Sequence, residues 1–168
     1  FRPTLAAVID WGREAQGMSD GIVDIALLDA RLEAEGIGSP PASPMLASPA
    51  SRRWSMARGP RWTHVLRPIG LTFDLDGVAK GWLADRALEL MPGVSAVVDA
   101  DGDIAMPVVD DEGWTMAVDD PRQPGASLAT LRLRRGDDAV ACYGIATSGT
   151  SVHRWSRDGA TRHHLIDP

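Results

Sequence analysis

The stretch Leu71-Thr72-Phe73-Asp74-Leu75-Asp76-Gly77-Val78-Ala79-Lys80-Gly81-Trp82-Leu83-Ala84-Asp85-Arg86-Ala87-Leu88 decides how this chain is read. Its pattern predicts an extended strand, a tight turn at Asp76-Gly77, and then an amphipathic helix. Such a junction presents backbone N–H groups that no helical carbonyl accepts, at the positive end of the helix dipole, and anions bind there. Gly77, Ala79 and Gly81 are small enough to let a ligand approach the backbone. Lys80 stands where the dipole disfavours a cation by up to about 1 kcal/mol, a placement that makes sense opposite a bound phosphate. Spacing alone leaves the plain alternative open, with Lys80 in water and Asp76 as an ordinary N-cap.

Toward the N-terminus, Leu5, Val8, Ile9 and then Ile22, Ile25, Leu28 and Leu32 fall at helical spacing, and Ser19-Asp20-Gly21 predicts a turn between two helices. Residues 38–60 are rich in Pro, Ser, Ala and Arg without a period, and predict a long loop. Trp62 to Leu75 predicts a two-stranded hairpin broken at Pro68 and Gly70. Toward the C-terminus, strands are predicted at Ser95–Val98 and Ile104–Met106 around an Asp/Gly turn, then at Trp114–Val118, Ala129–Leu133, Val140–Thr147 and His163–Ile166. Strands outnumber helices and follow one another in hairpin order, so the expected class is α+β, with mostly antiparallel sheets flanked by helices in a single domain over residues 1–168.

The chain has 168 residues, 44% of them apolar, enough for a real core. Acidic residues exceed basic ones by 23 to 17, for a net charge of −6, which argues against nucleic acid and anionic membrane surfaces as partners. The single cysteine, Cys142, excludes an intrachain disulfide and is expected to be a small buried hydrophobe. No stretch approaches the roughly 20 apolar residues of a membrane span, and the first residues lack a signal-peptide core.

The segment from Asp74 to Asp85 resembles the signature Asp-Leu-Gly-Gly-Ile-Ala-Lys-Gly-Tyr-x-x-Asp of the FAD:protein FMN transferase family, also called ApbE. Four further elements resemble that family in its own order: Ser19-Asp20-Gly21-Ile22-Val23-Asp24; Asp99-Ala100-Asp101-Gly102-Asp103-Ile104; Trp114 to Pro121; and Ile145-Ala146-Thr147-Ser148-Gly149 followed by His163-His164-Leu165-Ile166-Asp167-Pro168. The resemblance implies an ApbE-like, T-fold-like architecture and magnesium-dependent transfer of FMN from FAD to a Ser or Thr hydroxyl of an acceptor protein, with release of AMP. It implies FAD contacts at Asp74, Lys80 and Ile166, and, by a looser alignment, at Ala34, Glu35 and Gly36. It further implies a magnesium ligand in the backbone carbonyl of Gly77; beside these, His164 is a candidate general acid or base, and the Ser148-Gly149 turn is expected to supply backbone and hydroxyl donors to the ligand. A bacterial protein working at the cell envelope or extracytoplasmic side, and a homodimer, are also expected from it.

The resemblance places the remaining magnesium ligands on a helix beyond Pro168 and another element of the FAD cleft before Phe1, so the chain is expected to be incomplete at both ends. Asp99 and Asp101 replace an Asn and a Gly of the family pattern, and carboxylates beside a pyrophosphate repel it unless a cation intervenes. Non-catalytic FAD binding and cleavage of FAD to FMN and AMP are the alternatives to transfer. A calcium loop at Asp99-x-Asp101-x-Asp103 is disfavoured by Ile104 at its sixth position and Asp110 at its twelfth. A Ser148, His164 and Asp167 triad lacks the nucleophile-elbow pattern.

Overall fold

Pro3 opens helix α1 (Pro3–Met18) at a position where its missing N–H leaves no bond unmade. Ala6, Val8, Ile9 and Gly12 are its buried residues. The Ser19-Asp20-Gly21 turn ends it: the Ser19 N–H donates to Ala15 O, and the Ser19 hydroxyl accepts the N–H of Val23 at 2.9 Å. Helix α2 (Leu28–Glu35) ends at Gly36, whose left-handed backbone lets Ile37 N–H turn back onto the carbonyl of Leu32. The structure, a computed structural model, describes residues 2–37, 52–107, 113–134, 142–150, 154–157 and 159–165.

Strands β1 (Ser55–Arg58) and β2 (Thr63–Leu66) form an antiparallel hairpin closed by the Gly59 N–H on Trp62 O. This corrects two expectations. The strand partner of Thr63–Leu66 lies upstream, inside the stretch expected to be loop, while residues 38–51 of that stretch lie outside the described residues. The physical reason is turn chemistry: Gly59-Pro60 closes a tight hairpin, whereas after β2 Pro68 cannot donate to a ladder and Leu71 N–H folds back on its carbonyl. Residues 71–75 are accordingly irregular rather than a strand, anchored by Leu71, 1% exposed, and by Asp74 N–H on Ile25 O at 2.7 Å.

Helix α3 (Asp76–Glu89) begins directly after them. It includes Asp76 and Gly77, the residues expected to form a turn, because the Leu75 carbonyl accepts the N–H of both Val78 and Ala79. Strand β3 (Val98–Asp99) is shorter than expected; it pairs with β4 (Ile104–Pro107) across the predicted Asp/Gly turn. Strand β5 (Trp114–Asp119) pairs antiparallel with β6 (Ser127–Leu133), with a bulge at Val118/Asp119. Strand β7 (Cys142–Ile145) pairs with β4, giving the order β3-β4-β7. The chain closes with the hairpin β8 (Arg154–Arg157) and β9 (Ala160–His163).

The described sheets are all antiparallel, and the fold class is α+β. Contacts divide the chain into two units, one of Phe1–Ala79 with Val152–Pro168 and one of Lys80–Ser151. The core of the first unit includes Ile9, Ile25, Leu27, Leu71 and Val78; that of the second includes Ala84, Ala105 and Met106. Cys142, expected to be buried, is exposed at the start of β7, although partial desolvation of its sulfur pushes the thiol pKa upward, aided by the charge of Asp85. Among the described residues no helix is long and apolar enough to cross a membrane.

Candidate functional site

In the first unit, Arg31 of α2 gathers three carboxylates. Its Nη1 donates to both oxygens of Asp74, at 3.1 and 3.0 Å, and to Asp76 Oδ2 at 2.7 Å. Its Nε donates to Glu35 Oε1 at 3.0 Å, an i,i+4 pair on the helix. Asp76 first, then Asp74, hold the guanidinium even more firmly charged than usual. The same α2 is tied to the segment before α3 by Thr72, whose hydroxyl donates to Asp29 Oδ1 at 2.6 Å. Arg31 thus joins two stretches singled out in the sequence, Ala34-Glu35-Gly36 and Asp74-Leu75-Asp76. Spacing to Glu35 was the only sequence signal for it, since its link to Asp74 spans 43 residues.

Two carboxylates at a helix N-terminus would oppose an anion there; one guanidinium offsets part of their charge. Asp74 Oδ1 also accepts the N–H of Asp76 at 3.1 Å, and Val78 donates to Leu75 O, so Gly77 carries the N–H of this turn that is not taken up internally. A Cβ at Gly77 would meet nothing within 4 Å, so the backbone there is open to approach. At the other end of α2, Trp155 of β8 donates its indole N–H to Ala34 O at 2.5 Å, fixing the last turn of the helix where Glu35 leads into Gly36. His164 follows β9 and is half-buried. Ile166 lies outside the described residues.

The second unit begins at Lys80. Its Nζ lies 3.0 Å from Asp101 Oδ2, and a Cβ on Gly81 would lie 3.9 Å from Asp103 Oδ2. The turn that presents these acids is built from within: Asp99 Oδ1 accepts the N–H of Gly102 at 2.8 Å, and Ala100 N–H donates to Asp103 O at 2.9 Å. Asp101 has a left-handed backbone with φ 63°, as does Gly102 with φ 91°, and Thr147 packs against Gly102. Ser148 and Gly149 follow as exposed, irregular chain. The second unit therefore brings Lys80, Gly81 and the Asp99–Asp103 turn together with Thr147, one residue before Ser148.

Two features bear on other ligands. In the first unit a cavity of about 450 Å³ is lined by Arg13, Gln16, Asp20, Asp24, Arg52 and Trp54, among others. Of its arginines, Arg13 pairs with Asp10 at 2.9 Å, while Arg52 Nη1 lies 3.9 Å from Asp24 and its Nε and Nη1 are buried without a hydrogen bond among the described residues. For a metal, no group of three or more His, Cys, Asp or Glu side chains among the described residues is placed to hold one. The Gly77 carbonyl is one oxygen ligand at most. These residues therefore do not fit a magnesium site made of protein alone.

Comparison with known proteins agrees with this architecture. The FAD:protein FMN transferase of Treponema pallidum (strain Nichols) is 29% identical over 129 residues, which cover 69% of this chain and 34% of that protein. The FAD:protein FMN transferase of Vibrio cholerae serotype O1 is 29% identical over 103 residues, 58% of this chain and 29% of that protein. The chain thus spans about a third of the length of the curated relatives it matches. The crystal structure of the ApbE protein from Thermotoga maritima MSB8 superposes with a TM-score of 0.70 at 22% identity, over 99% of this chain and 56% of that one, which shows a shared fold. The ApbE family profile matches residues 1–168, and the chain belongs to the ApbE family.

Proposed function

We propose that this chain is part of an FAD:protein FMN transferase. In the reaction, a Ser or Thr hydroxyl of an acceptor protein attacks the FMN phosphorus of FAD. A new O–P bond forms, the bridging P–O bond to AMP breaks, and the hydroxyl proton leaves. The observation that carries this reading is the construction of the segment Asp74–Lys80 within a chain that matches the ApbE family from end to end: an irregular stretch held by Arg31 runs directly into helix α3, with small Gly77 in the first turn and Lys80 in the second.

In this reading Lys80 takes phosphate oxygen, a point charge for a developing negative one. The open backbone at Gly77 lets the pyrophosphate or a cation approach. Asp74, Ile166 and the Ala34-Glu35-Gly36 loop are proposed as further FAD contacts, Ser148 and Gly149 as donors to the ligand, and His164 as the group that accepts the hydroxyl proton. Magnesium would enter with the pyrophosphate, since Mg²⁺ is usually bound through substrate phosphates and few protein ligands, and it would supply charge neutralisation.

The test is intact-mass analysis of an acceptor protein incubated with the chain, FAD and Mg²⁺. The expected result is a mass increase of one FMN residue with release of AMP, abolished by EDTA. FAD binding without any mass change would favour a second reading, a flavin-binding module that does not transfer. That reading draws on the absence, among the described residues, of a side-chain cluster able to hold a metal. If FAD neither binds nor reacts, both readings fall.

A further inference from the structure

We propose that the cavity between α1, the turn after it and Arg52 is a binding site for a small organic anion: a singly charged carboxylate carried on a flat apolar body, with Arg52 as its anchor. The site lies wholly within the first unit and stands independently of the flavin reading.

Arg52 is the residue that points to a ligand. Its side chain retains 12% of its accessibility, its Nε and Nη1 are buried, and neither has a hydrogen-bond acceptor among the described residues. A buried donor left unmet is costly, and few native structures keep one without a use for it. The acid within ion-pair range, Asp24, stands 3.9 Å from Nη1, beyond hydrogen-bonding distance. It does not close that gap, because its Oδ1 accepts the N–H of Ala26 at 2.8 Å and holds the carboxylate where it is. Arg52 is thus matched in charge but not in hydrogen bonds. With no such bond to break at Nε or Nη1 among the described residues, the guanidinium is able to turn toward an oxygen in the cavity. A carboxylate takes two of its N–H groups at once.

The rest of the cavity sets the kind of anion. Its volume of about 450 Å³ falls within the roughly 300–1,000 Å³ of small-molecule sites, far more than a carboxylate group alone fills. Trp54 lines it, with its ring edge-on to Phe73 at a centroid distance of 4.9 Å, which fixes the indole as a flat apolar wall. The guanidiniums of Arg13, Arg52 and Arg53 against the carboxylates of Asp20 and Asp24 leave the lining with a surplus of one positive charge. Asp10, which bonds Arg13 and also Arg58 from outside the lining, adds one acid with one base and leaves that surplus unchanged. A monocarboxylate neutralises such a site. A doubly charged phosphate overshoots it and meets Asp20 and Asp24 as like charges.

The experiment is isothermal titration calorimetry of the full chain with benzoate, with its uncharged analogue benzamide, and with inorganic phosphate. Benzoate is expected to bind with a Kd on the order of 1 mM, the strength open to a ligand of so few atoms, and benzamide and phosphate at least about tenfold more weakly. Arg52→Lys keeps the charge beside Asp24 but not the fork, and should cost benzoate about tenfold in affinity. Asp20→Asn retains a residue that tolerates the left-handed backbone at that position, φ 51°, and removes one negative charge from the lining. It should tighten benzoate severalfold and phosphate by more, since the doubly charged ligand feels the change twice. No benzoate binding at about ten times the expected Kd overturns the proposal. So does phosphate binding to wild type as tightly as benzoate, or an unchanged benzoate affinity in a folded Arg52→Lys chain. Should Arg52→Lys fail to fold, Asp20→Asn decides, and benzoate and phosphate affinities equal to those of wild type overturn the proposal.

Discussion

Arg31 shows how much one residue can organise. Its side chain is three-quarters buried and its guanidinium is bonded to Glu35, Asp74 and Asp76, so its removal takes away the cation these three carboxylates share. Arg31→Ala should destabilise the chain by about 1–2 kcal/mol, measured by urea unfolding, since unpaired charge in a partly buried setting is costly. Arg31→Lys should restore only part of this, because an ammonium cannot fork between several acceptors. An Arg31→Ala chain as stable as wild type would mean that the carboxylates simply relax into water. Beyond its i,i+4 spacing to Glu35, none of this was legible in the sequence, where Arg31 is one of 17 basic residues and Asp74 and Asp76 stand 43 and 45 positions away. Lys80, by contrast, stood out in the sequence by its place near the start of a helix. What the sequence did not show was its partner, because pairing with Asp101 depends on the backbone of a turn 21 residues later.

At the level of elements, α1 offers a paired test of packing against propensity. A Cβ on Gly12 would stand 2.7 Å from Ile25 Cγ2 and 2.8 Å from its Cδ1, so α1 approaches the Ile25 segment as closely as only glycine allows. Alanine gains up to about 1 kcal/mol in helix propensity, but overpacking costs about 1–3 kcal/mol. Gly12→Ala should therefore lower the melting temperature. Gly17→Ala, in the same helix with nothing within 4 Å, should raise it slightly, by about 0.5 kcal/mol of stability. A stabilised Gly12→Ala would show that Ile25 moves aside without cost. Helices α1 and α3 and the hairpins β3–β4 and β5–β6 were readable from periodicity and turn residues, whereas α2 begins only at Leu28, so that Ile22 and Ile25, expected within the second helix, precede it. The hairpin β1–β2 was not, because Ser55–Arg58 sits next to a Pro/Ser-rich stretch that masks its pattern and acquires strand character by pairing with Thr63–Leu66.

For the molecule as a whole, ligand linkage supplies the broadest check. If the chain binds FAD only when folded, FAD at 100 times its Kd adds about 2.7 kcal/mol of stability, seen as a higher melting temperature by differential scanning fluorimetry or calorimetry. AMP alone should raise it less, because it lacks the pyrophosphate that Lys80 is proposed to hold. An unchanged melting temperature at saturating FAD and Mg²⁺ would contradict flavin binding by this chain. The sequence by itself determined the α+β class, the helix that carries Lys80, and the likeness to the ApbE family, because these depend on short-range periodicity and on motifs whose residues are neighbours in the chain. Only the tertiary structure decided which charges meet: Arg31 with Asp74 and Asp76, Lys80 with Asp101, and the Trp155 indole with Ala34. Those encounters bring together residues 21 to 121 positions apart, and the direction of a side chain at the end of a folded turn is set by packing and backbone geometry that no local pattern encodes.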